Sequence, residues 1–375
     1  MKSINIIVLI SILILVITAC TPTGQVVQEQ EIEIGFIGPL TGFATFVGQE
    51  MVRGTEVALA EINQEGGINE KELKIIYEDG QCFPKPALNA FQKLATFDEV
   101  PVIIGPLCST SILPVTPMAN NNKLPIIGTL DSSEDIKEAG EYVFSNGFLL
   151  EDGAIKMADY AYNEMGLRKV AVLYELDDSA QILATTFRDE FIKLGGEIVV
   201  VMVHSLESND YRTELLKIQQ YKPEAVYAVV LTLDGSFFKQ IKELGIETPF
   251  IGADNFGIQD VIDGAGDAAN GVIFSYQIKY GKENQALTEF QEKYKAMYGE
   301  ESPGILYAAI GYDNVKLVAE VMREHGTTSE EIKNGLLQVK DFEGVLGTTS
   351  FDEKGNANRE QHINKIENGE FVNIE

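Results

Sequence analysis

The sequence predicts an α/β protein in which doubly wound parallel sheets are covered by helices and the chain divides into two lobes. Three observations carry this. From residue 32 onward, short β-branched runs alternate with amphipathic stretches. The runs are apolar on both faces, as strands sandwiched between helices must be. A single sheet of some ten such strands would be long, and at 375 residues two domains of common size fit better than one core.

In chain order, IEIGFIG (32 to 38) reads as the first strand. Gly48 to Glu65 reads as a helix with Val52, Val57, Leu59 and Ile62 on one broad face. Gly-Gly-Ile at 66 to 68 ends that helix and LKIIYED forms the next strand. There follow helix Ala87 to Ala95, strand 100 to 105, a helix from Thr110, strand 124 to 129 and the strand YVFSN, with a lobe break at Asn146-Gly147. The second series is helix 151 to 165, strand 168 to 175, helix 179 to 194, strand 197 to 203, helix Tyr211 to Tyr221, strand 225 to 231, helix Ser236 to Leu244 and strand 249 to 254. After Gln277 the pattern is helical (Asn284 to Met297, Gly304 to His325, Ser329 to Leu337), closing with short strands around FDEKGN, HINKI and FVNIE. These late elements must pack back onto the earlier lobes. The sequence shows no internal repeat and no low-complexity tract.

Composition narrows the function classes. With 57 acidic and 29 basic residues the formal net charge is -28, a field that repels phosphate backbones and argues against a nucleic-acid partner. An apolar fraction of 45% with 23% charged residues is that of a globular chain and excludes a disordered or collagen-like one.

Ile4 to Ile17 are almost wholly apolar, preceded by Lys2 and followed by Thr18-Ala19-Cys20. The run is short for a spanning helix and suits the core of a signal peptide. Small residues before a cysteine resemble a lipobox, so residues 1–19 are expected to be a lipoprotein signal peptide and Cys20 the acylated first residue of the mature chain. The alternative is an uncleaved signal anchor. Residues 20–31 read as a flexible tether, which would hold the protein to the outer face of a membrane through its acyl chains. With Cys20 so assigned, Cys82 and Cys108 remain as an even pair in an exported chain, where a disulfide is the default and two separate buried thiols the alternative.

In an open α/β sheet, ligands bind beyond the carboxyl ends of the strands. Two such ends carry hydroxyl clusters that open helices: Cys108-Ser109-Thr110-Ser111, and Leu130-Asp131-Ser132-Ser133. Both read as N-caps, where free N–H groups and the helix dipole favour an anion. Ser109 and Ser132 either converge on a carboxylate or only cap their helices. GAGDAA (264 to 269) has a dinucleotide-like spacing but follows a short helix and not a strand, and no P-loop or GxSxG is present. His204, His325 and His362 are scattered, which disfavours a zinc site or a histidine catalyst. No metal and no cofactor is expected.

The motifs IGFIGPLTG, RGTEVALAEIN, YEDGQC, VIIGPLCSTS, LGGEIVV, NDYRTELLKI, AGDAANGV, GYDNVKLVAEVM and FEGVLGTTSFDEKGN follow one another from residue 32 nearly to the end. In this order the chain resembles the leucine/isoleucine/valine-binding protein family of periplasmic solute-binding proteins. The resemblance implies the type I periplasmic binding protein fold: two Rossmann-like lobes, joined by three crossovers, that clasp a ligand between them. Lobe one would comprise 32–146 plus 278–347, and lobe two 147–277 plus 348–375. The Cys82 and Cys108 pair matches the family disulfide. Ser109 and Ser132 map to the hydroxyls that hold a ligand carboxylate, the Leu130 carbonyl to a contact with its ammonium, and Asp254 to the acidic residue that completes the ammonium site. Positions where amino-acid binders of the family often place rings are Val47, Ser179 and Thr232 here, and Asp131 lies between the hydroxyl contacts. That pattern implies a pocket with fewer rings and an extra carboxylate, one that need not favour leucine and is open to a polar or cationic amino acid, an amide or a short peptide. The implied function is a lipid-anchored solute-binding protein that captures an amino acid or similar zwitterion by lobe closure and delivers it to an ABC transporter permease. Its rivals are a sensor of the same fold, an amide or amino-acid receptor signalling to a membrane partner, and more remotely a cleft hydrolase.

Overall fold

The computed structural model describes residues 31–375 except 130–133, 148–149, 232–233 and 282–283, and leaves out the side chains of 134, 137, 150, 178 and 358. The proposed signal peptide, Cys20 and all of the tether but Glu31 lie outside the described residues, as do Leu130, Asp131, Ser132 and Thr232.

The first half builds a five-stranded parallel sheet of order β2-β1-β3-β4-β5. Its strands are β1 (Ile32–Gly38), β2 (Leu73–Asp79), β3 (Ile103–Ile104), β4 (Ile126–Gly128) and β5 (Val143–Ser145). The connecting helices are α1 (Thr45–Gln64), α2 (Pro84–Thr96), α3 (Ser109–Ile112) and α4 (Thr116–Asn122). Alternation of side chains along each strand divides the core. Ile34, Phe36, Ile104 and Ile127 pack on the face shared with α1, whereas Ile37, Ile103, Ile126 and Val143 pack against α2 and α4. The single helix expected from Thr110 is instead two pieces, α3 and α4. Pro114 has no N–H for a continuous ladder, and Pro117 starts the second piece, where a missing donor costs nothing.

The second half repeats the topology with unrelated residues. β6 (Lys169–Glu175), β7 (Glu197–His204), β8 (Ala225–Val229), β9 (Phe250–Gly252) and β10 (Ile273–Tyr276) lie in the order β7-β6-β8-β9-β10. They alternate with α5 (Leu150–Asn163), α6 (Asp178–Lys193), α7 (Arg212–Gln220), α8 (Ser236–Glu243) and α9 (Gln259–Ala265). Strand β10 was not among the expected strands. GAGDAA spans the end of α9 and a 3-10 turn, so no phosphate-binding loop forms there.

Three late helices, α10 (Gln285–Tyr298), α11 (Ile305–His325) and α12 (Ser329–Leu336), follow. Helix α11 presses on α1 at two glycines: a Cβ on Gly54 would stand 1.8 Å from the Ala308 carbonyl oxygen, and one on Gly311 would stand 2.2 Å from that of Met51. The chain then forms a small three-stranded sheet from β11 (Phe342–Gly344), β12 (Gly347–Phe351) and β13 (Ala357–Asn358). It finally returns as β14 (His362–Glu367) and β15 (Glu370–Asn373), antiparallel additions that extend the second sheet to seven strands.

The chain passes between the two halves three times: after β5; after β10, when α11 packs back on α1; and after β13. The first and third passages are tied by polar contacts in a dry environment. Arg359 donates from Nε to the Asn146 carbonyl at 3.0 Å and from Nη2 to Asn146 Oδ1 at 2.8 Å, while Asn146 Nδ2 donates to Asn314 Oδ1 at 2.9 Å. Beside them Asp313 accepts the N–H groups of Val345 and Leu346 at 2.8 and 2.9 Å. Burial pushes the Asp313 carboxyl up to about 6, against the pull of Arg359 and the two N–H donors.

Candidate functional site

Both sheets reverse direction of winding at a switch point, β1/β3 in one and β6/β8 in the other. Such a point leaves a crevice at the carboxyl ends of the strands because the flanking helices depart to opposite faces. Loops from these ends line a single cleft of about 1130 Å³.

One wall comes from the turn after β1, the first turn of α1, and the segment entering α11. Asp79, at the end of β2, accepts the N–H groups of Leu40 and Thr41 at 3.0 and 3.3 Å and so fixes the turn after β1. This brings Phe43, Ala44, Phe46 and Val47 to the cleft. Buried Glu50 accepts the hydroxyls of Ser302 at 2.5 Å and Tyr294 at 3.0 Å, fastening the segment that carries Ser302, Pro303 and Tyr307. The Phe46 ring meets Tyr307 edge-on at 6.2 Å.

The opposite wall is made by Ser179 and Leu183 on α6, Leu231 after β8, Asp254 and Asn255 after β9, and Tyr276 and Tyr280 at and beyond β10. Asp177 caps α6, accepting the N–H groups of Ser179 at 2.8 Å and Ala180 at 3.3 Å, and it also accepts the Ser179 hydroxyl. Tyr276 and Tyr280 stack at 5.7 Å, and Tyr280 stacks on Phe371 at 4.7 Å.

Asp254 is the chemically distinctive group. Burial pushes its carboxyl up to about 6, only partly opposed by hydrogen bonding from backbone N–H groups, including that of Asn255 at 3.0 Å. No Lys, Arg or His is among the described residues that line the cleft, which include the further carboxylates Asp260, Asp263, Glu301 and Glu370. The phenols of Tyr227, Tyr276 and Tyr307 are raised by burial and further by the Asp254 charge. The Asp254 field therefore reaches tyrosines on both walls.

Val47, Ser179 and Asp254 thus share one cleft. Ser109 is half-buried and stands as the first residue of α3, with Cys108 in the N-cap position it was expected to fill; it is not among the described cleft-lining residues. Cys82 and Cys108 form a disulfide with a Cα separation of 5.4 Å, joining the turn after β2 to the start of α3. Fewer rings are expected at the positions of Val47, Ser179 and Thr232, the last of which lies outside the described residues. Val47 and Ser179 are indeed not aromatic, but Phe43, Phe46, Tyr276, Tyr280, Tyr307 and Phe371 supply rings from other positions. Phe46 could have been found from its place one residue before Val47; the tyrosines at the end of β10 could not, because that strand was not read. Among the described residues no cluster of His, Cys, Asp and Glu is placed to hold a metal, and no helix is long and apolar enough to cross a membrane.

Two doubly wound lobes whose strand ends face one cleft define a protein that holds a small solute between them. Comparison with known proteins gives the family. The profile described as periplasmic binding protein matches residues 31–370. An amino acid binding protein of Pseudomonas aeruginosa is 25% identical over 335 residues, 87% of each chain. The branched-chain amino acid transporter substrate-binding protein of Streptococcus pneumoniae, solved in complex with isoleucine, superposes with a TM-score of 0.77 at 26% identity, covering 92% of this chain and 99% of that one. A solute-binding protein of Rhodopseudomonas palustris, solved with 3,4-dihydroxybenzoic acid, gives 0.75 at 26% identity, covering 92% and 96%. The chain belongs to the periplasmic binding protein family, in its Leu/Ile/Val-binding branch with the type I fold. It is an exported solute-binding protein and not an enzyme.

Proposed function

We propose that the protein captures an amino acid or a related small zwitterion in this cleft by closing its lobes, and delivers it to an ABC transporter permease. The observation that carries the reading is Asp254: a carboxylate on one wall, lifted by burial, in a cleft also lined by Tyr276, Tyr280 and Tyr307 and with no basic side chain among the described lining residues. An ammonium group supplies the missing countercharge, and aromatic faces add cation–π attraction. In this reading Ser109 and Ser132 hold the carboxylate of the ligand and the Leu130 carbonyl assists its ammonium, so a zwitterion touches both lobes. Contacts on both walls exist only when the lobes are closed, and the ligand shifts the open–closed equilibrium by that difference in affinity. We take lobe one as 32–146 plus 278–358 and lobe two as 147–277 plus 359–375, with the three passages as hinge. The third boundary moves from the expected 347/348 to the end of β13 because β12 and β13 belong to one sheet with β11 and the Ser145 N–H of β5 donates to the Gly355 carbonyl. The relatives from Pseudomonas and Streptococcus, named for amino acids, support the ligand class; the dihydroxybenzoate complex is the reason to test it against acids that lack an amine.

The anchor belongs to the same proposal. Cys20 carries the acyl chains, and residues 20–31 tether the lobes to the membrane face. In a bacterial host the wild type partitions with membranes and bears an acylated N-terminus, and Cys20→Ala does neither. An unmodified mature N-terminus at another residue overturns the anchor. For the site, titration calorimetry with the twenty L-amino acids and their des-amino analogues decides: tight binding of an amino acid and poor binding of its analogue support the reading, and equal binding refutes the ammonium contact.

A further inference from the structure

We infer that Glu175, assisted by Asn255, is a positioning residue that sets the second wall of the cleft by clamping the backbone where it leaves β8; this rests on the reading of the cleft as the binding site. The ladder between β6 and β8 ends at the pair Tyr174 and Val229. Beyond it, the Val230 carbonyl and the Leu231 N–H have no strand partner, and in so dry a place each would be costly to leave unpaired. Two side chains take them up. Glu175, the last residue of β6 and wholly buried, accepts the Leu231 N–H on Oε2 at 2.7 Å. Asn255 donates from Nδ2 to the Val230 carbonyl at 2.5 Å. Only the amide nitrogen can face a carbonyl, so the orientation of Asn255 is dictated by the contact.

The clamp joins the two loops that matter for binding. Leu231 and Asn255 both line the cleft, and Asn255 directly follows Asp254. Glu175 is itself held. The Tyr211 hydroxyl donates to its Oε1, the Tyr211 N–H donates to Gln240 Oε1 at 2.8 Å, and Gln240 Nε2 donates to the Asn209 carbonyl at 2.7 Å. The His204 ring lies over Tyr211 at 4.1 Å. The path from α8 through Tyr211 and Glu175 to Leu231 thus sits at the β6/β8 switch point and ends on the cleft.

The chemistry prescribes which substitution restores function. A glutamine at 175 can offer its oxygen to the Leu231 N–H and its amide nitrogen to the Tyr211 oxygen; a leucine can offer neither. The experiment compares wild type, Glu175→Gln, Glu175→Leu and Asp254→Asn by calorimetry with the twenty L-amino acids. Thermal melting and hydrogen exchange at the Leu231 amide accompany each titration. For the amino acid that binds wild type most tightly, Glu175→Leu is expected to bind at least tenfold more weakly, with the Leu231 amide unprotected. Glu175→Gln is expected to recover affinity to within about threefold, with that amide protected. Should Glu175→Leu fail to fold, Asn255→Leu, which removes only the Val230 contact, is expected to weaken binding likewise while retaining a cooperative melt. Wild-type affinity in Glu175→Leu, or in Asn255→Leu where that stands in, overturns the inference; so does a Glu175→Gln protein as weak as Glu175→Leu. If Asp254→Asn also binds like wild type, or no amino acid binds wild type, it is the zwitterion reading that fails. Protection of the Leu231 amide then decides the clamp alone.

Discussion

Burial lifts the Asp254 carboxyl to about 6, so its charge changes over a pH range in which the protein can be studied folded. A cation needs the ionised form. Below about pH 6 the unliganded site is mostly protonated and binding must expel a proton. The affinity for a zwitterionic amino acid is therefore expected to fall by roughly tenfold from pH 7 to pH 5 and to level off above pH 7. Calorimetry across that range reads it, and Asp254→Asn should remove both the affinity and its slope. Glu61 behaves in the opposite sense. Burial alone would raise its carboxyl, but hydrogen bonds from Tyr312, Lys293 and Lys316 at 2.7, 2.9 and 3.0 Å outweigh that and hold it at about 2. A depressed carboxyl stabilises the fold above its unfolded value, near 4.5, and the contribution is lost as pH falls toward 2. Glu61→Gln should cost about 2–3 kcal/mol at pH 7 and almost nothing at pH 2, as measured by denaturant unfolding.

At the scale of elements, the α1 and α11 pair is set by glycine. A methyl group at Gly54 or Gly311 meets backbone oxygen and cannot be relieved by a rotamer change. Gly54→Ala should destabilise by about 1–3 kcal/mol or more, lowering the thermal midpoint although alanine is the better helix former. The disulfide closes a loop with a sequence separation of 26. Its loss in Cys82→Ser should cost ~3.5 kcal/mol on the chain-entropy scale. It should also weaken binding, since the tie between the end of β2 and the residue preceding Ser109 is gone. Peptide mapping of the exported protein checks the bond itself. Long amphipathic helices such as α1 and α11 were legible because their burial period repeats for several turns. The short central strands were legible only as apolar runs: 100 to 105 narrows to Ile103–Ile104, and 249 to 254 to Phe250–Gly252. Strand β10, four residues beside a glycine-rich turn, gave too short a run to read, and with it went the stacked Tyr276 and Tyr280.

For the whole molecule, the alternation of strands and helices carried the class, and the order of motifs carried the family. The repeat of one topology in two sheets came from the resemblance, which implies two Rossmann-like lobes, and not from the residues themselves. Strand order depends on which edges meet after the chain crosses over, and side chains as different as those of IEIGFIG and KVAVLYE fill equivalent places. Asp254 was legible as a candidate, whereas its surroundings were not, because the rings that line its cleft come from segments far apart in sequence. The most direct test of the function is calorimetry of wild type and Asp254→Ala with the L-amino acid that binds wild type best. Loss of a charged contact that closure buries should cost about 2–4 kcal/mol, some thirty- to several-hundred-fold in affinity, with an unchanged fold by circular dichroism. Binding by Asp254→Ala within threefold of wild type would contradict the ammonium site and with it the capture of a zwitterion.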